Sequence, residues 1–265
     1  MLTRYGVWLN NKGLADIDDS IYIVDIVQPD IDQQVIKAES SLGGGTRYIA
    51  TRRFSLPVEI HFLVRERNIA RRAEIIDRIR GWAAQPGYLT TTEQPGKRLY
   101  VVCSRFPVGS AKRWTDEMTM AMTAYDVPYW EDEMSLSCTV HCVPYNPEAN
   151  FTHQGTGRLY QRGTAPAPMD AVITANEAVN TIRLVGGEAY KYLQFDDLGM
   201  KAGDVLTISH DERGILYARM NGESVLHKRI TASQDDLLVK PGENTITLRS
   251  NATCTGVCEV RGRWL

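Results

Sequence analysis

The sequence predicts a mainly β protein with a single short helix, divided into two domains. Three observations carry this: alternating apolar runs of strand length along the whole chain, one stretch of helical period, and closely spaced turn residues in the second half. A length of 265 residues suits two domains of ordinary size. The first is expected over residues 1–148, an α+β unit, and the second over 149–265, a β-sandwich.

The opening runs YGVWL, SIYIVDIVQ and IDQQVIKAE place Ile, Val and Tyr at alternate positions and read as strands, with Pro29 breaking them. SSLGGGTR follows. Three successive glycines, Gly43, Gly44 and Gly45, weaken any strand interior, so this segment and Arg47 are expected to form a loop used for mobility or backbone contact. RRFSLPVEIHFLV resumes the strand, with Phe54, Leu56, Val58, Ile60 and Phe62 on one face and Pro57 at an edge or bulge.

The period then changes. Ile69, Ala73, Ile76, Ile79 or Arg80, and Ala83 recur at helical spacing, which predicts a helix over about 68–85. Asn68 is the expected N-cap, Glu74 and Arg78 an i,i+4 ion pair, and Pro86-Gly87 the stop. Trp82 is expected to anchor the helix to the following hairpin, YLTTT and RLYVVCSRF, whose second strand carries Tyr100. Between those runs Pro95-Gly96 suits a type II turn.

Two further strands, MTMAMTAYDVPYW and MSLSCTVHCVPY, precede a Gly-, Pro- and Thr-rich passage at 146–168 that reads as a linker. Beyond Pro168 short strands are punctuated by Glu212-Arg213-Gly214, Asn221-Gly222 and Pro241-Gly242, the pattern of a sandwich.

Charge selects no partner. Thirty basic against 32 acidic residues leave a net charge of −2, so neither nucleic acid nor an anionic membrane is favoured. No apolar run reaches the roughly 18 residues of a membrane span, and no secretory leader is evident, so folding in a cytosol is expected. Five cysteines, Cys103, Cys138, Cys142, Cys254 and Cys258, make an odd set that suits reduced thiols. Two Cys-x3-Cys spacings invite a zinc reading. On a strand, however, Cys138, Val140 and Cys142 share one face and read as core, with His141 opposite.

Catalytic patterns fail in turn. Asp116-Glu117 and Glu131-Asp132-Glu133 are adjacent carboxylates at strand ends, which do not face one another across a cleft. There is no nucleophile elbow and no HExxH; Gly96-Lys97 lacks the rest of a phosphate loop, and Gly155-x-Gly157 lacks a third glycine. The five histidines are scattered. No catalytic residue, metal or cofactor is expected.

Arginines mark the remaining candidate. Arg71, Arg72 and Arg78 lie on the polar side of the helix among Glu74 and Asp77, a mixed pattern suited to a protein interface or a solvated face.

The order of elements resembles the distal tail proteins of long-tailed bacteriophages. The matching residues are Ile79, Trp82, Gly87, Leu89, Tyr100 and Val102, the Pro128-Tyr129-Trp130 step, Pro166 and Pro168, then Pro241, Gly242 and Asn244, and the terminal VCEVRGRWL. The resemblance implies a split-barrel-like first domain and a galectin-like sandwich, whose last strand either completes the sandwich or returns to the first domain. It implies a non-enzymatic virion protein of the tail tip, made in the bacterial host cytoplasm and assembled as a homo-hexameric ring. Its implied partners are the tail tube protein, a tail-associated hub or lysin protein, and receptor-binding or fibre proteins. A galectin-like fold also raises carbohydrate binding or action on cell walls. His210 and Arg213 in SHDERG are the residues to watch, although the only Trp after Pro168 is Trp264.

Overall fold

The structure is a computed structural model describing residues 5–28, 32–39, 46–106, 117–148, 151–186, 191–233 and 237–265. The chain forms two compact units, Met1–Trp130 and Glu131–Leu265.

The first unit contains β1 (Val7–Leu9), β2 (Lys12–Gly13), β3 (Ile21–Val27), β4 (Asp32–Glu39), β5 (Thr46–Val64), α1 (Ile69–Ala83), β6 (Gly87–Thr91), β7 (Lys97–Arg105) and β8 (Glu117–Ala124). The strands pair in the order β2-β1-β6-β7-β8-β5-β3, all antiparallel, and β4 joins through β5. The alternation expected around Pro57 holds from Leu56 onward: Leu56, Val58, Ile60, Phe62 and Val64 are buried while the residues between them are half-buried, but Phe54, expected on the same face, is exposed. Pro57 falls between the β4 ladder, which ends at Ser55, and the β3 ladder, which begins at Glu59. Among the described residues β5 has no partner on that side there, so the ring's missing N–H is tolerated.

Helix α1 begins where the sequence predicts, with the Asn68 side chain accepting from the Ala70 and Arg71 amides. Its buried face is rotated from the expected one. Arg72, Ile75, Ile76, Ile79 and Ala83 face inward, whereas Ile69 and Ala73 are exposed. The inward set also repeats at i, i+3, i+4, i+7, and assigning Arg72 to the polar side hides it. Beyond the helix, the Lys97 amide donates to the Gln94 carbonyl across Pro95-Gly96, and Gly96 takes a φ of 72° as a type II turn requires.

At the junction lies β9 (Trp130–Asp132). The second unit continues with β10 (Leu136–His141), β11 (Val143–Glu148), β12 (Phe151–Gln161), β13 (Ala167–Ala175), β14 (Ile182–Gly186), β15 (Tyr192–Phe195), β16 (Val205–His210), β17 (Leu216–Met220), β18 (Glu223–Ser224), β19 (Leu238–Val239), β20 (Gly242–Ser250), β21 (Cys254–Val260) and β22 (Arg263–Trp264). One sheet runs β10-β21-β13-β16-β17-β18, with β19 on β13; the other runs β11-β12-β20-β14-β15. A single core joins them, with Val140, Ile173 and Leu206 from the first sheet beside Leu159, Leu184, Ile246 and Leu248 from the second. This is a β-sandwich.

The passage read as a linker contains an eleven-residue strand, β12, paired with β20 from Gln161↔Gly242 to His153↔Ser250. Its low apolar content has a steric cause. A Cβ on Gly155 would lie 2.2 Å from the His141 carbonyl oxygen, and one on Gly157 would lie 2.8 Å from Val140 Cγ2. Glycine lets β12 lie flush over β10, and it removes the apolar signal as it does so. The terminal β22 pairs with β9: Arg263 reaches Glu131 at 3.0 Å and Trp264 Nε1 donates to Asp132 at 2.8 Å, while Arg263 also bridges to Ala165.

Candidate functional site

The residues singled out in the sequence do not converge on one point. Gly43, Gly44 and Gly45 lie outside the described residues. Arg47 is in β5, where its backbone pairs with Ala38. Arg71, Arg72, Arg78 and Trp82 are on α1, and Tyr100 is on β7.

On α1 most of the arginines have partners within the unit. Arg78 is not paired with Glu74; its guanidinium donates to the Ile17 carbonyl at 3.0 Å and to Asp18 Oδ2 at 2.7 Å. Arg71 lies 3.4 Å from Glu66, and Arg80 2.9 Å from Asp77. Arg72 differs, being only 3% exposed, with Nε and Nη1 lacking a hydrogen-bond partner among the described residues. The outer face of the helix is therefore a mixed-charge surface locked by short-range pairs. At its end Arg80, Gly81, Ala84 and the exposed Phe106 line a shallow apolar hollow of about 410 Å³.

Trp82 is half-buried, and its indole N–H donates to the Lys12 carbonyl at 2.9 Å. That bond ties the helix to β2, not to the hairpin ending at Val102. An indole needs an acceptor for its N–H, and the open carbonyl at a sheet edge supplies one. Tyr100 packs edge-on against Tyr88, ring centroids 5.3 Å apart, and Arg98 stacks on the Tyr88 ring at 4.0 Å.

Asp18 is a second tether for α1. The Ser20 hydroxyl and amide donate to its carboxylate and Arg78 sits beside it, which holds the Asp18 pKa below the usual carboxylate range. A carboxylate with a lowered folded pKa stabilises the fold above its unfolded pKa, and loses that contribution as pH falls through the folded value. Asp18→Asn is accordingly expected to cost about 1 kcal/mol at pH 7, a figure kept small because Arg78 is half-exposed. In urea titrations the deficit should shrink as the pH falls below the ordinary carboxylate range; a deficit independent of pH would contradict the assignment.

The longest strand produces the most unusual surface. Residues 56–63 of β5 pair with β8, whereas among the described residues the stretch from Thr46 to Ser55 pairs only with β4. This half is a two-stranded ribbon, and it carries exposed apolar side chains at Val35, Ile36 and Phe54. Two strands alone are marginally stable in water. Sequence reading identified both strands but not that the ribbon stands apart from the sheet, because pairing partners are nonlocal information.

In the second unit, a polar hollow of about 400 Å³ on β16 and β17 is lined by Ser209, His210, Asp211, Glu212, Tyr217 and Arg219. His210 is held by Asp170, 2.8 Å from Nδ1, with its side chain largely buried. Asp211 orders the turn, accepting from the Arg213 and Ile215 amides and from the Tyr217 hydroxyl. Trp264 donates to Asp132 and does not line this hollow. Among the described residues no group of three or more His, Cys, Asp or Glu is arranged to hold a metal ion, and no helix is long and apolar enough to cross a membrane. The two Cys-x3-Cys spacings are instead interleaved, with Cys138 opposite Cys258 and the Cys142 amide bonded to the Cys254 carbonyl at 2.9 Å.

Comparison with known proteins bears on the whole chain. Sequence comparison with curated proteins finds no match. Among solved structures, the Dit (gp 19.1) protein of SPP1, described as a paradigm of hub adsorption apparatus in phages infecting Gram-positive bacteria, superposes with a TM-score of 0.70. The two share 12% identity over 98% of this chain and 99% of that one. A chain of the phage P2 baseplate in its activated conformation with Ca gives a TM-score of 0.53 at 8% identity, covering 99% and 98%. The corresponding structure with Sr gives 0.52 at 6%, covering 97% of each. Residues 162–264 match the model of the siphovirus-type tail component, C-terminal domain. That segment is similar to the C-terminal domain of the siphovirus-type tail component, and along its whole length the chain shares the fold of the SPP1 Dit protein.

Proposed function

We propose that this protein is a structural subunit of a phage tail tip: a distal tail or baseplate hub protein that assembles as a homo-hexameric ring between the tail tube and the host-adsorption apparatus. The observation that carries the reading is the β4–β5 ribbon. A two-stranded ribbon with exposed Val35, Ile36 and Phe54 gains stability when another surface covers it. A closed ring supplies such a surface, since each subunit offers one patch to a different patch of its neighbour. The hollow at Arg80, Gly81, Ala84 and Phe106, with the paired charges of α1, is a second surface of the first unit, suited to the tail tube protein or a hub protein. The sandwich is left for receptor-binding or fibre proteins. The virion tail tip is the site of action, after synthesis in the host cytoplasm. No catalytic step is assigned to the chain.

The test is the solution mass by light scattering over a wide concentration range, with negative-stain imaging, for the wild type and for Val35→Asp combined with Ile36→Asp. Rings are expected from the wild type, alone or with its tail tube partner. Both substituted side chains are exposed, so the double variant should fold normally yet shift to monomer. A wild type that never forms rings, or a variant that assembles unchanged, would overturn the reading. The competing carbohydrate reading rests on the polar hollow of β16 and β17; sugar binding on a glycan array, abolished by substitutions at His210 and Arg213, would favour it.

A further inference from the structure

We propose that the second unit carries two cross-strand disulfide sites, Cys138 with Cys258 and Cys142 with Cys254, which close when the protein meets a low-molecular-weight disulfide oxidant. The reasoning uses only the sandwich and does not depend on the assembly reading.

Strands β10 and β21 pair without a register shift, so Cys138 stands directly opposite Cys258, and Val140 opposite Gly256. Continuing the ladder places Cys142 opposite Cys254, which the 2.9 Å bond from the Cys142 amide to the Cys254 carbonyl supports. That bond marks a hydrogen-bonded position, and Cys138, four residues away, falls in the same class. Opposed residues there have Cα atoms about 5.5 Å apart, within the most common range for disulfides. Both side-chain pairs point to the same face; the Cys142 thiol donates to the Leu248 carbonyl and the Cys254 thiol to the Ser250 hydroxyl.

The environment favours reaction within a pair. Cys258, Cys142 and Cys254 are buried and Cys138 is half-buried, so Cys138 is the point of entry for its own pair, and the Cys142–Cys254 pair reacts more slowly, through local opening of the sandwich. The neighbouring Cys258 thiol holds the Cys138 thiol below its ordinary pKa, and the Cys142 thiol does the same for Cys254. Cys142 and Cys258 are pushed up by their partners and by burial. Each pair thus has one better nucleophile and one proton holder. In the first step the thiolate attacks the small disulfide, forming a mixed disulfide and expelling one small thiolate. In the second, the partner thiol loses its proton and displaces the other small thiolate. One protein disulfide forms, two small thiols are released, and two electrons pass to the oxidant. Cys103, on β7 in the other unit, has no such partner, and burial raises its pKa.

The test incubates the native full-length protein with oxidised glutathione, then denatures it, alkylates the free thiols and counts them by intact mass. The five alkylated cysteines of the reduced protein should fall to one, with no retained glutathione and no dimer. Because Cys138 and Cys142 lie on one tryptic peptide, pairing is assigned with variants. Cys138→Ser should retain two alkylated thiols with the Cys142–Cys254 link closed, and Cys254→Ser two with the Cys138–Cys258 link closed. Five thiols persisting under oxidant, stable glutathione adducts, or a variant pairing its thiols otherwise would each overturn the proposal. The wild-type count decides the matter even if a variant fails to fold.

Discussion

Gly155→Val is expected to lower the unfolding free energy by about 3 kcal/mol, the upper part of the usual cost of overpacking. The first added carbon would lie 2.2 Å from the His141 carbonyl oxygen, 2.6 Å from its carbon and 2.9 Å from Val140 Cγ1. The nearest two atoms are backbone, so no rotamer change relieves the clash. Separating the strands would break the core contacts made by Val140 and Leu159 on either side. Thr156, one residue on, is exposed, and Thr156→Val should change stability by no more than about 0.5 kcal/mol. Urea unfolding of the two variants measures the contrast. Equal stabilities would mean that β12 does not lie flush on β10.

Arg72→Met is expected to act in the opposite direction, raising the stability of the isolated subunit by about 1–4 kcal/mol. A guanidinium that is 3% exposed, with Nε and Nη1 unpartnered among the described residues, bears a desolvation cost that its own unit does not offset. Methionine fills similar length without charge. Urea titration of the monomer measures the change. A loss of more than about 2 kcal/mol in the monomer would show instead that the guanidinium is satisfied internally.

Local chemistry was legible in the sequence and nonlocal geometry was not. Asn68, Pro95-Gly96 and Asn221-Gly222 declare their roles through short-range rules; the last shows φ of 48° and 92°, as a type I′ turn requires. The rotated face of α1 was missed because Arg72 occupies an inward position, against the expectation that charge faces water. Strand β12 was missed because close approach to β10 selects glycine at the positions where apolar residues would have signalled it. The candidate surfaces were legible only as a list of arginines. That Arg78 is committed to Asp18, that Arg72 is buried, and that Val35 and Ile36 sit on an unsupported ribbon all depend on which strands meet.

Strand β5 spends its first half in that ribbon and its second half in the middle of the sheet, without a break between them. A ribbon attached through a loop could swing freely when something docks on it. This one continues into the strand that carries Val58, Ile60 and Phe62, all buried, so twisting the ribbon twists the centre of the unit. The ribbon acts as a lever whose fulcrum is the hydrophobic core. Docking at Val35 and Ile36 should therefore be felt in the exchange rates of the amides from Val58 to Phe62, far along the chain from the point of contact.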